Sequence, residues 1–203
     1  MGKNHVRKRE EGEMGLFYGF TIKNGKGTTK KRGYRRAHSF VKGFIQALFV
    51  RAGHIGTTLN SRAGFTFTEM DASTTVVSNG GMTFSTDGGV GQDDEGILIG
   101  TGTAAESIDD TALATLIIHG TGSGEIEYSA MSEVAPTNTP TETSFVLTRV
   151  FTNNSGGSIT INEIGLANDH GEGILFIRDV LSSAIVLDDA DQLTLNYTIK
   201  TSI

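Results

Sequence analysis

Apolar positions recur at every second residue in several short segments of the chain, and the stretch from Ser144 to Leu166 is the one the rest is organised around. Phe145, Leu147 and Phe151 alternate with Val146, Thr148 and Val150, the two-residue period of a strand partly covered on both faces. Asn153, Asn154, Ser155, Gly156 and Gly157 then bring together residues that tolerate positive φ or bond their own backbone. Ile159 and Ile161 resume the alternation, so the spacing predicts a hairpin with a connection slightly longer than two residues. Strand-like segments are also predicted over 65–69, 74–78, 82–85, 96–100, 112–118, 125–130, 173–178, 184–187 and 192–200. In the last of these, Leu193, Leu195, Tyr197 and Ile199 face one way and Thr194, Asn196 and Thr198 the other, one side core and one side wet. Strands at such intervals predict a mainly β chain, an antiparallel β-sandwich or jelly roll. Residues 131–143 contain both prolines and no period; they are expected to be a long surface loop or a crossover between sheets.

One stretch changes period. Phe40, Val41, Phe44, Ile45, Leu48, Phe49 and Ala52 recur at three- and four-residue steps behind Ser39, an expected N-cap, and Gly53 is an expected stop. This predicts an amphipathic helix of about 14 residues, roughly 20 Å long. Five large side chains on one face represent at most on the order of 10 kcal/mol of burial, so that face needs a cover. Either the chain's own β domain or a neighbouring subunit would supply it, and the residues leave both open.

Charge divides the chain. Residues 1–62 hold 14 of the 17 lysines and arginines against three glutamates, a net +11, while the remainder holds Arg149, Arg178 and Lys200 against 20 acidic residues, a net −17. The expected organisation is a basic extended arm over 1–36, an amphipathic helix and connection over 37–64, and an acidic β-sandwich domain over 65–203. Within the arm, Leu16, Tyr18, Phe20 and Ile22 share one parity, a short strand or strap that would not fold alone. Met14 is an alternative start, because KREEGE reads as the translation of a purine-rich ribosome-binding sequence.

The absence of Cys removes disulfide scaffolds, thiolate zinc sites and thiol nucleophiles. No apolar run approaches the roughly 20 residues that span a bilayer, and no hydrophobic segment of signal-peptide type follows the basic start, so a cytoplasmic product with no membrane contact is expected. Gly100, Gly102 and Ala105 match a GxGxxA dinucleotide pattern after a strand, but the acidic turn at Ser107–Asp110 replaces the helix whose amides would meet a pyrophosphate. The acidic clusters Asp93, Asp94, Glu95 and Asp188, Asp189, Asp191 lack EF-hand spacing and read as solvated loops. His5, His38, His54, His119 and His170 form no HExxH pair, and no GxSxG elbow is present. The expectation is a chain that is not an enzyme and takes no cofactor or metal.

The candidate functional residues are therefore contacts: Lys30, Lys31, Arg32, Arg35 and Arg36 of the arm, and Phe40, Phe44 and Leu48 of the helix. The arm's charge suits the acidic bodies of sister subunits, with nucleic acid as an alternative partner because Tyr18, Phe20 and Tyr34 lie near the positive runs. A third reading is a receptor- or carbohydrate-binding module with specificity in 86–96 or 131–143.

At GILIGTGTAAESIDDTALATLI, FTNNSGGSITINEIGL, RDVL and the terminal LTLNYTIK, with HSFVKGFIQALF before them, the sequence resembles structural virion proteins of tailed bacteriophages over roughly residues 39–203. The resemblance implies a non-enzymatic, multi-copy component of a capsid, neck or tail, assembled in the host cytoplasm and tied by its arm and helix to sister subunits or other virion proteins. On that reading, deletion of residues 1–36 is expected to leave a soluble β domain that fails to enter the particle.

Overall fold

The first strand follows from the parity already noted. The computed structural model of the chain describes residues 14–37, 39–52, 65–77 and 81–202. In it Leu16, Tyr18, Phe20 and Ile22 are all buried on one side of β1 (Met14–Lys23). The Asn24 side chain accepts the amides of Lys26 and Thr28, and Gly27 takes a φ of 79°, so the chain reverses into β2 (Thr29–Arg36). A helix, α1 (Lys42–Ala52), the single one among the described residues, precedes a small hairpin of β3 (Phe65–Thr68) and β4 (Thr74–Val77). Then come β5 (Gly96–Gly100), β6 (Glu127–Tyr128), β7 (Ser132–Asn138), β8 (Glu142–Thr152), β9 (Ile159–Ala167), β10 (Leu175–Leu187) and β11 (Gln192–Ser202).

All the pairings between these strands are antiparallel. One sheet runs β2-β1-β11-β8-β6, with β7 also on β8; a second runs β10-β9-β5. Leu193, Leu195, Tyr197, Leu147 and Phe151 of the first sheet and Ile97, Ile99, Ile164 and Ile177 of the second share one core. Polar groups cross it too, the Tyr197 hydroxyl reaching Asp179 at 3.4 Å and the Tyr128 hydroxyl donating to the Ile117 carbonyl at 2.6 Å. Burial is the chief reason that both phenols are held well above their ordinary pKa. The expected mainly β, antiparallel sandwich is what the chain forms.

Several finer expectations change. Residues 14–36 are not an extended arm. They supply two strands of the larger sheet, and removing 1–36 would strip β1 from Leu193, Leu195 and Tyr197 rather than free a finished domain. The boundaries expected at 36 and 64 therefore do not separate the described residues 14–52 from the body. Residues 1–13 and 53–64, and with them Gly53, lie outside the described residues.

The segment from Ser144 to Leu166 is not a hairpin: β8 and β9 belong to different sheets. Buried Asn153 explains the crossing, since its side-chain amide donates to Gly157 and Leu187 and its backbone bonds Asp191 and Ala190, fastening the turn to the β10–β11 turn. Residues 132–138 are a strand rather than a loop or crossover. β7 pairs with β8 through a register shift between Val134 and Thr137, which bypasses Pro136, a residue with no amide to give. Segments 173–178 and 184–187 are parts of one long β10 with an irregularity between Val180 and Ile185. Residues 82–85 and 112–118 form no strand beyond an isolated Gly100–Leu116 bridge.

The helix starts at Lys42, not at Ser39. Residues 39–41 instead extend along β10, the Arg178 amide donating to Ser39 and the Val41 amide to Phe176 at 3.0 Å each. Gly43, Ala47 and Val50 are the buried face of α1, and Gly43 sits so close to the Leu175 carbonyl that a Cβ there would overlap it. Gly43→Ala is expected to cost roughly 1–3 kcal/mol by pushing α1 off β10, whereas Leu48→Ala on the exposed face should stay within about 0.5 kcal/mol. Urea denaturation of the two variants checks this, and the opposite order would mean that α1 seats by its other face.

Candidate interaction surface

The β1–β2 register decides where each basic residue goes. Opposite pairs share a face of the sheet. Tyr18/Arg35, Phe20/Gly33 and Ile22/Lys31 therefore lie on the core side, while Phe17/Arg36, Gly19/Tyr34 and Thr21/Arg32 lie on the outer side. On the core side Gly33 makes room for the Phe20 ring, and the Lys31 ammonium sits 5.7 Å from that ring's centroid. Lys30 reaches away to the β10–β11 turn and donates to Asp188 at 2.7 Å and Asp191 at 2.5 Å. These bonds raise the Lys30 pKa, and the bonds from Lys30 and Ser158 lower that of Asp188.

The outer side carries the more unusual arrangement. Tyr34, 58% exposed, stacks on Phe17 with centroids 5.5 Å apart and planes within 8° of parallel. Gly19 stands opposite it in the register. Lys200 of β11 stands 5.0 Å from the Phe17 centroid and donates to Glu142 at 2.9 Å, a bond that raises the lysine's pKa. Thr21, Thr194, Asn196, Thr198 and Thr148 continue the face as a polar carpet, with the Thr148 hydroxyl donating to Asn196 at 2.7 Å.

The helical candidates separate. Phe40 and Phe44 pack on each other and Phe44 meets Phe176 edge-on at 5.8 Å, so both belong to the wall of an apolar cleft of about 360 Å³ between the sheets. Phe84, Met131, Phe145 and Leu166 line the same cleft. Leu48 instead faces outward beside Ile45 and Phe49, exposed by 46%, 57% and 59%. Tyr18 and Phe20, expected beside the positive runs, are in the core.

Two buried arginines escaped the sequence reading. Arg149 stands in the inward phase of β8 between Leu147 and Phe151 and donates to five carbonyls: Ser129, Glu95, Ile97, Gly89 and Gln92. Its guanidinium lies 4.8 Å from the Tyr128 ring centroid. Arg178 donates to the buried Glu163 at 2.8 Å, to Asp110 at 2.7 Å and to the carbonyls of Ala104 and Ala105. Glu163 also accepts the amides of Gly102, Ala114 and Thr115. This explains the GxGxxA pattern, because a Cβ at Gly100 or Gly102 would run into the Glu163 side chain. The available signal was scarcity: after Arg62 there are only three basic residues, and all three fall in strands.

The acidic clusters are used within the chain: Asp93 accepts the His119 amide, and Asp189 accepts that of Gly156. Among the described residues no group of three or more metal-ligating side chains comes together, and no helix is long and apolar enough to cross a membrane. Comparison with protein-family models, with curated proteins and with solved structures gives no match.

Proposed function

We propose that the chain is a non-enzymatic structural component of a tailed-phage virion, present in several copies and tied to sister subunits or other virion proteins through its N-terminal part. The observation that carries this reading is the outward face of α1. One face of the helix is seated on β10 through Gly43 and Ala47, yet Ile45, Leu48 and Phe49 stand together in solvent, the kind of patch that marks a protein contact. The charge division adds complementarity, a basic β2 on one side of a strongly acidic remainder, which suits head-to-tail contact between copies. The tether is thus two surfaces of a folded body rather than a loose arm, as far as residues 14–52 are concerned.

The buried ionisable groups fit a structural role, since Arg149, Glu163 and Arg178 spend their bonding capacity on loops of their own chain. The receptor- or carbohydrate-binding alternative loses support at both of its loops: Arg149 pins residues 89–95 from inside, and 132–138 are β7. Quantitative mass spectrometry of purified particles tests the proposal. The chain is expected in multiple copies per particle, and Ile45→Ser/Phe49→Ser should abolish incorporation while leaving a folded, soluble protein. Absence of the unaltered chain from particles rejects the virion reading, and undiminished incorporation of the double variant rejects the helix as the contact.

A further inference from the structure

The three neighbouring strands β2, β1 and β11 contain no aspartate or glutamate, although the chain has 23. They carry Lys23, Lys30, Lys31, Arg32, Arg35, Arg36 and Lys200. We propose that the outer face of these strands binds single-stranded nucleic acid, with Tyr34 as the stacking platform and Arg32 as a phosphate contact. It gives the basic β2 face a ligand other than the acidic surface of a second copy, and the test separates the two; the contact through α1 does not depend on it.

The geometry selects this ligand over other polyanions. Tyr34 stacks on Phe17, which holds the ring while leaving it 58% exposed. An exposed ring held in this way receives an unpaired base, as in sequence-tolerant single-strand binders. Arg32 lies two residues away on the same face of the same strand, about 6.8 Å along the sheet at strand rise. A guanidinium so placed reaches a phosphate beside a base laid on Tyr34. Thr21, Thr194 and Asn196 offer hydroxyl and amide partners to sugar and base edges without sequence preference. A duplex presents no free base face to stack on Tyr34, and the acidic loops of a second copy would use the cations but leave the ring without a matching partner. Lys30 is engaged with Asp188 and Asp191 and Lys200 with Glu142, and neither is assigned to the site.

Fluorescence anisotropy with the full-length chain and a labelled oligothymidylate of about twenty nucleotides tests the assignment. Binding is expected at low salt, weakening linearly in log–log form as salt rises. Tyr34→Ala should weaken it about tenfold, Tyr34→Phe should leave it unchanged, and Arg32→Gln should reduce the salt slope by roughly 0.7. Lys42→Gln on α1, which removes the same charge away from this face, should change neither. The altered side chains at 32 and 34 are exposed, so thermal melts are expected to match the unaltered protein. No oligonucleotide binding overturns the proposal, and so does binding that is indifferent to Tyr34→Ala and Arg32→Gln. Salt-sensitive self-association in place of oligonucleotide binding also overturns it, because the occupant would then be the acidic surface of a second copy.

Discussion

Arg149→Met should lower the free energy of unfolding by roughly 3–5 kcal/mol, the range found when one side of a buried charged network is removed. Arg149 is fully buried, and its five bonds of 2.6–3.0 Å run to carbonyls of the 86–96 loop, of β5 and of Ser129. Each carbonyl left without a donor in a dry site costs about 1–3 kcal/mol. The costs will not add in full, because Gly89 and Gln92 lie near the surface and can turn to water. Burial pulls the Arg149 pKa below the ordinary arginine value, and the nearby Glu95, Asp93 and Asp94 carboxylates offset only part of that. The guanidinium is thus held by shape and donor count more than by counter-charge. Arg149→Lys keeps the charge but replaces a planar fork of five donors by three on a point, so it should recover less than half of the loss. Urea denaturation at neutral pH gives both values, and hydrogen exchange should show the 86–96 loop losing protection first. A loss under about 1 kcal/mol for Arg149→Met would mean that water already serves these carbonyls.

Arg149 also shows what the sequence could convey. Alternation located β11 to within two residues, and a short apolar run located β5, which is buried on both faces. Pairing is another matter. Phe145–Phe151 and Ile159–Ile161 alternate as the arms of a hairpin would, yet they lie in different sheets, and the Asn153 side chain and backbone bond the turn between them across to Leu187, Ala190 and Asp191. β2 was invisible for a similar reason: TKKRGYRR has no apolar period, and its strand conformation comes from pairing with β1. The basic run consequently looked like a free arm, when lysine and arginine on an edge strand also discourage another strand from adding to it. In β8 the eye follows Leu147 and Phe151, and the arginine between them occupies the same inward phase. Of the contact residues, burial placed Phe40 and Phe44 in the cleft wall, while the outward direction of Leu48 followed from which helix face Gly43 could bring against a carbonyl.

Glu163→Ala should be comparably damaging, by roughly 3–5 kcal/mol, and its comparison with Arg178 separates two kinds of burial. The carboxylate has no exposure and four donors around it: the amides of Gly102, Ala114 and Thr115 at 2.8–3.0 Å and the Arg178 Nε at 2.8 Å. Losing it orphans three amides and leaves a buried guanidinium with Asp110 as its remaining acid. Arg178→Met leaves Glu163 charged but still bonded to those three amides, so it should cost less, about 2–3 kcal/mol. A simple buried ion pair can be replaced by two apolar residues at little cost. Here Glu163→Leu/Arg178→Met should remain at least about 2 kcal/mol less stable than the unaltered chain, because no apolar side chain can accept from Gly102, Ala114 and Thr115. A double-mutant cycle in urea measures the coupling. A near-neutral double variant would show that the two charges matter only to each other. A persistent deficit, together with lost exchange protection over 101–118, would show that the carboxylate is the fixed point around which the loop after β5 is wound, and that Gly100 and Gly102 are small to admit it.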